Sequence, residues 1–217
     1  MRVLTRYRLE LLVRSQRWLP PVLAYLLLMG IGVTAGDDPS GILGWQAGVL
    51  LPVTVWLVRC AVTVEPAASR ACLVTAAGAA RVHLSALLAA LVCGLALACA
   101  GTAAALAVGA RPEDALWRVA GAGLLAGVVA VLLGVAVGAL TNRPVLLGSQ
   151  YGIPLGLAAA TLVVAAPGSP ANLTIRTLVT GSRHGGVELL PWPPVVALLV
   201  AAAATAGAAL VARRRAE

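Results

Sequence analysis

The sequence predicts an all-α polytopic membrane protein: six transmembrane helices preceded by an amphipathic interfacial helix, with both termini cytoplasmic. Three observations carry this. Of 217 residues, 60% are hydrophobic and 11% charged, under half of the roughly 25% charged share of a soluble domain. That balance excludes an ordinary water-soluble globule, and it leaves too much apolar surface for intrinsic disorder. The apolar residues gather in six stretches, each near the length of about 20 residues that crosses a bilayer. The arginines fall mostly on one side of those stretches.

Residues 1–18 are too polar to cross. Drawn as a helix, Val3, Leu4, Tyr7, Leu11 and Trp18 share one face, with Arg2, Arg6, Glu10, Gln16 and Arg17 opposite. Arg14 intrudes on the apolar edge, and Leu9 and Val13 on the polar side. Such a segment lies in the interface plane against the lipid bilayer, with Arg6, Arg14 and Arg17 toward anionic headgroups and Trp18 at the boundary. The other reading is a solvated positive anchor that only sets topology.

The spans follow at 19–35, 42–62, 84–110, 119–140, 145–166 and 195–211. Pro20 and Pro21 open the first, and Pro191, Pro193 and Pro194 the last, where proline costs little because early helix N–H groups lack partners anyway. Pro52 and Pro154 fall inside the second and fifth spans and are candidate hinges, since an internal proline frees a backbone carbonyl. The first span has the outline of a secretory leader, but its basic region is long and five spans follow, so it is expected to be retained.

Two connections stand out. Residues 63–83 form the longest inner one, with Glu65-Pro66 as a helix start and a mild helical stretch to Arg81. It is either a short helix that docks on a partner or a connector whose Arg70 and Arg81 enforce sidedness. Residues 167–194 form the longest outer one, with Pro-Gly-Ser-Pro, a strand or short helix over 172–180, and Trp192 at the membrane edge. Asn172-Leu173-Thr174 matches a glycosylation sequon, which has meaning only where the eukaryotic machinery exists.

All 16 basic residues are arginine and the formal net charge is +8. Twelve lie on one side: Arg2, Arg6, Arg8, Arg14, Arg17, Arg59, Arg70, Arg81, Arg143, Arg213, Arg214 and Arg215. Arg111, Arg118, Arg176 and Arg183 make four on the other. That asymmetry puts both termini in the cytoplasm, and an even number of crossings agrees. Charge used for topology implies no nucleic-acid partner.

Several chemistries lack their residues. A phosphate-binding P-loop needs a lysine, and the chain has none; any ATP that drives it must be bound by another polypeptide. Cys60, Cys72, Cys93 and Cys99 show no C-x-x-C spacing and read as small apolar residues. His83 and His184 lie at span edges or in loops, and no H-E-x-x-H exists, so neither a serine nor a metal protease of the bilayer fits. Gly148-Ser149-Gln150-Tyr151-Gly152 has the wrong glycine spacing for a nucleophile elbow. The eight acids sit in tails, loops or span edges, which argues against proton coupling through buried carboxylates. No catalytic, metal or cofactor site is expected. Gly44/Gly48, Gly123/Gly127, Gly134/Gly138 and Gly152/Gly156 each give G-x-x-x-G and predict close helix packing. Gln46, Thr54 and Gln150 are the polar groups at span depth, suited to interhelical bonds.

The basic helix ending Arg14-Ser15-Gln16-Arg17-Trp18-Leu19-Pro20-Pro21, the six spans, the inner segment from Glu65-Pro66 to Arg81-Val82-His83 and the long outer loop before the last span together form a pattern. It resembles the membrane (permease) subunit of type-2 ATP-binding-cassette transporters, in the small six-span bacterial form. The resemblance covers nearly the whole chain. It implies that the permease works in a pair with a second copy or a paralogous permease. It also implies that a separate cytoplasmic ATPase supplies the energy, with no ATP hydrolysis in this chain. Glu65, Arg70 and Arg81 would then belong to a coupling helix against that ATPase, with the N-terminal helix on the membrane beside it. Residues 167–194 would resemble the partly inserted re-entrant region, shorter here than a large outer gate needs. The implied activity is export across a bacterial cell membrane. The rival is a membrane protein that uses no ATP: a secondary carrier, or a structural or assembly subunit.

Overall fold

The computed structural model describes residues 1–111, 115–146, 151–184 and 190–215. Among these it holds nine α-helices and no strand: α1 (Arg2–Arg14), α2 (Leu19–Gly32), α3 (Pro39–Thr63), α4 (Ala67–Ala77), α5 (Ala79–Val108), α6 (Leu116–Thr141), α7 (Gly152–Ala165), α8 (Pro170–His184) and α9 (Trp192–Arg214).

The bundle is built around α3. Its start is set by Pro39 at the first helical position and by Asp38, whose carboxylate accepts from the Ser40 and Gly41 amides at 3.0 and 3.3 Å. From there the helix is buried on nearly every side, with Leu50, Leu51, Leu57 and Val58 fully enclosed. It packs against α2, α5, α6, α7 and α8.

Glycine decides how closely the neighbours approach. On α6, Gly123 faces Leu43, Gly134 faces Thr54 and Gly138 faces Val58, all on α3; Gly127 faces Ala98 of α5. A Cβ on Gly134 would stand 2.7 Å from the Thr54 Cβ and 2.9 Å from the Leu51 carbonyl oxygen, so no side chain fits without a shift. Gly44 and Gly48 of α3 receive Val179 and Ile175 of α8, and Gly152 and Gly156 of α7 lie against Arg59 and Val55. All four G-x-x-x-G pairs are therefore seams within the chain.

The ends of the bundle differ. At one end α1, the close of α3, α4, the starts of α5 and α7, and the closes of α6 and α9 come together. Arg8 reaches Glu65, Arg17 reaches the Thr63 carbonyl, Arg59 reaches Asn142, and Arg215 reaches the Pro144 carbonyl. At the other end the Gly36 amide bonds the Val108 carbonyl and the Ala110 amide bonds the Asp37 carbonyl, which joins the α2–α3 turn to the end of α5. Among the described residues, α1 and the end of α9 share the arginine-rich end.

Four helices are long and apolar enough to cross a membrane: α3, α5, α6 and α9, of 25, 30, 26 and 23 residues. A fifth crossing arises if α7 and α8, bent by 53° at their break, count as one span. The remaining pass, α2, has 14 residues, about 21 Å at 1.5 Å per residue against a hydrocarbon core of about 30 Å. The first expected span, 19–35, thus ends early because Thr34 to Asp38 form the turn, with Asp37 accepting from the Thr34 amide at 2.8 Å.

Other boundaries move for local reasons. The expected inner loop 63–83 holds α4 and the first turn of α5, separated by Gly78 at φ +85°. Within the expected fifth span 145–166, Val145 and Leu146 turn back to the Asn142 carbonyl, residues 147–150 lie outside the described residues, and the described helix runs Gly152–Ala165. The expected outer loop 167–194 contains α8, whose Ala171, Thr174, Leu178 and Gly181 form a buried stripe at helical spacing. Outward faces of α2, α7 and α9 expose Leu26, Leu27, Ile31, Leu155, Leu162, Leu198 and Leu199. Apolar surface of this extent is costly in water and matches a bilayer.

Candidate functional site

The chemistry that varies across this molecule concentrates at the arginine-rich end. The site begins with α1. Its buried face is centred on Arg8 and Leu12, at 3% and 1% exposure, while Val3 and Val13 point away from the protein. Of the face expected against the bilayer, Val3 and Tyr7 are exposed while Leu4, Leu11 and Trp18 are half-buried, and Arg8 turns inward to meet a buried carboxylate. Arg8 Nη2 stands 2.5 Å from Glu65 Oε2, with both side chains all but sealed from solvent. The Tyr7 hydroxyl lies 3.4 Å from the other Glu65 oxygen. Such a pair adds little net stability, but losing one partner strands the other's charge in a low-dielectric place.

The turn between α1 and α2 carries the second tie. Gln16 adopts φ +55°, which redirects the chain. Arg17 then donates to the Thr63 carbonyl at 2.7 Å, and the Trp18 indole N–H to the Val13 carbonyl at 3.2 Å. Arg6 pairs with Glu10 along the exposed face at 2.9 Å, and Arg14 is exposed. Exposed pairs of this kind contribute little.

Next comes α4. None of its residues is buried, and α5 is its packing partner. It stands off the bundle as an exposed rod fixed at both ends, by buried Glu65 before it and by Gly78 after it. Arg70 is half-buried on the bundle side; Arg81 is exposed at the start of α5. Cys72 is exposed on α4, and no disulfide joins the four cysteines. Burial, then the nearby Arg8 and Arg143 guanidiniums, push Arg70 below its ordinary pKa, while Glu65 acts the other way. His83 is buried with neither ring nitrogen hydrogen-bonded.

Between α4 and the ends of α3, α6 and α9 lies a cavity of about 610 Å³, lined by Glu65, Arg70, Arg143 and Arg215 together with apolar Val62 and Val74. Beneath it, Arg59 bonds Asn142 Oδ1 at 3.2 Å, and Asn142 Nδ2 bonds the Gly138 carbonyl at 2.9 Å.

The candidate hinges separate. Pro52 lies within α3 beside a second cavity of about 710 Å³, lined by Leu28, Trp45, Val164, Ile175 and Val179. Pro154 is the third residue of α7, where the helix has no internal bond to lose, so it bends nothing. The break in the fifth pass lies instead at 166–169, with Gly168 at φ +84°. There the Ser169 hydroxyl donates to the Val163 carbonyl at 2.6 Å and the Asn172 amide to the Val164 carbonyl at 2.8 Å. Gln46 makes an interhelical bond to the Ala98 carbonyl at 2.9 Å; Thr54 bonds the Leu50 carbonyl of its own helix at 2.8 Å. Gln150 and the Gly148–Gln150 stretch lie outside the described residues, as does the His184 side chain.

Sequence reasoning grouped Glu65, Arg70 and Arg81, and the structure places all three at this end. It missed Arg8, Asn142, Arg143 and Arg215. No periodicity marks an arginine that turns inward to meet a carboxylate 57 positions away. Among the described residues, no three His, Cys, Asp or Glu side chains gather as a metal centre. No protein-family model, curated protein or solved structure matches the chain.

Proposed function

We propose that the chain is the permease subunit of a type-2 ATP-binding-cassette exporter in a bacterial cell membrane, paired with a second permease and driven by a separate cytoplasmic ATPase. The observation that carries this reading is α4: an exposed eleven-residue helix between the second and third passes, at the end where twelve arginines gather. A helix with no fully buried residue of its own is suited to a groove on a partner. The absence of lysine, and so of a P-loop, fits a division of labour in which the partner binds nucleotide.

In this reading, six passes place both termini in the cytoplasm, and α2 crosses by local thinning of the bilayer or by its flanking residues. ATP draws two ATPases together, and their motion pushes α4. Rigid links carry the push: Glu65 to α1 through Arg8, and Gly78 to α5. The first, second and fifth passes (α2, α3 and the α7–α8 pair) then rearrange at the permease–permease interface, and substrate leaves outward.

The test uses the purified chain together with a candidate cytoplasmic ATPase of the ATP-binding-cassette type from the same genome. The chain alone hydrolyses no ATP. With the ATPase, hydrolysis is stimulated; Arg81→Glu lowers that stimulation several-fold, while Arg111→Glu at the opposite end leaves it unchanged. In a variant that keeps Cys72 and replaces Cys60, Cys93 and Cys99 by serine, a thiol cross-linker joins α4 to the ATPase. Transport by the chain alone, or stimulation indifferent to Arg81→Glu with no Cys72 cross-link, overturns the proposal and favours the ATP-independent carrier or assembly subunit.

A further inference from the structure

The cavity beneath α4 has an unbalanced charge. Arg70, Arg143 and Arg215 line it. Among the described residues its one carboxylate, Glu65, is already held by Arg8 and Tyr7. The other carboxylate described at this end, Glu10, is paired with Arg6 on the outer face of α1. Arg143 has no hydrogen bond or ion pair among the described residues, and the Arg70 guanidinium has none either. Arg215 is oriented by the Pro144 and Val145 carbonyls, which neutralise no charge. Like charges that converge on a space of about 610 Å³ repel one another unless an anion fills it.

The shape of the lining identifies the anion. The guanidiniums share the walls with Val62, Val74, Ala71 and Ala212, so the space has a cationic part and an apolar part. Guanidinium forks match phosphate oxygens. Basic pockets between membrane helices at the cytoplasmic face suit acidic lipid headgroups. We propose that this cavity binds the phosphate of an anionic phospholipid, with Arg70, Arg143 and Arg215 as its ligands and the apolar wall against the glycerol and first acyl carbons. The site needs no ATPase and no permease activity, so it stands or falls apart from the reading above.

The experiment follows thermal unfolding of the full chain in detergent, by its own tryptophan fluorescence. Phosphatidylglycerol, phosphatidylcholine and inorganic phosphate are added in separate titrations. Phosphatidylglycerol raises the midpoint in a saturable way and the other two do not. Arg143→Gln weakens the apparent affinity for phosphatidylglycerol about tenfold, the scale of one lost charge-assisted contact. Arg143 is exposed, so this variant folds; Arg2→Gln, an equal charge change on the free face of α1, keeps the wild-type affinity. A shift with inorganic phosphate equal to that with phosphatidylglycerol overturns the lipid and makes free phosphate the occupant. Equal shifts with both lipids, an unaltered Arg143→Gln, or an equal loss in Arg2→Gln overturns the site.

Discussion

At the scale of single residues, the arginine-rich end turns on Arg8 and Glu65. Arg8→Ala leaves a carboxylate buried without its counter-ion, a loss of about 3–5 kcal/mol. Replacing both by leucine removes the charges together and recovers most of that loss, because the penalty comes from the stranded partner. Chemical unfolding of the single and double variants in detergent checks this; additive losses would show that the pair is not the source. Glu65 was legible in the sequence because Glu-Pro marks a helix start. Its partner was not: drawing α1 as a helix sorts residues by hydrophobicity and assigned Arg8 to neither face. Electrostatic pairing between distant segments leaves no local pattern to read.

At the scale of elements, glycine spacing was legible and its use was not. The G-x-x-x-G pairs announced close contact, yet only the packed helices reveal that α6 gives its glycines to α3 and that α3 gives its own to α8. Gly134→Ala puts a methyl group against Thr54 and the Leu51 carbonyl and destabilises by about 1–3 kcal/mol, as overpacking does. Gly207→Ala, where nothing lies within 4 Å of the added atom, has little effect; thermal unfolding of the two variants side by side tests the contrast. Gly78 is different again, with open space around it but φ +85°. Gly78→Ala strains the backbone by about 1–3 kcal/mol, because φ +85° with ψ 142° is open almost only to glycine, and the strain appears as altered protection of α4 amides in hydrogen exchange. The end of the expected span 19–35 was set by a turn that hydropathy cannot see, an aspartate accepting from the Thr34 amide.

At the scale of the whole molecule, the two ends are chemically distinct and face opposite compartments if the six passes cross a membrane. A membrane-impermeant thiol reagent then labels Cys72 from one side of intact cells or vesicles only. In a Cys72→Ser background, Thr34→Cys, in the turn after α2, is labelled from the other side. Labelling of both from the same side refutes the six-pass topology. Apolar run length made the all-α, membrane-type character readable from the sequence, since the length of a span follows from the physics of insertion, and among the described residues four or five helices are long and apolar enough to cross. The outer connection resisted reading because α8 mixes threonine, asparagine and arginine with its buried stripe; a helix sheltered by α3 tolerates polarity that a lipid-facing one does not.

The seam between α3 and α6 has a mechanical corollary. Where backbones lie this close, with Leu43, Thr54 and Val58 lodged in the gaps left by missing side chains, neither rod can roll or slide without a collision. The two therefore travel as a keel. In any rearrangement α3 therefore carries α6 with it.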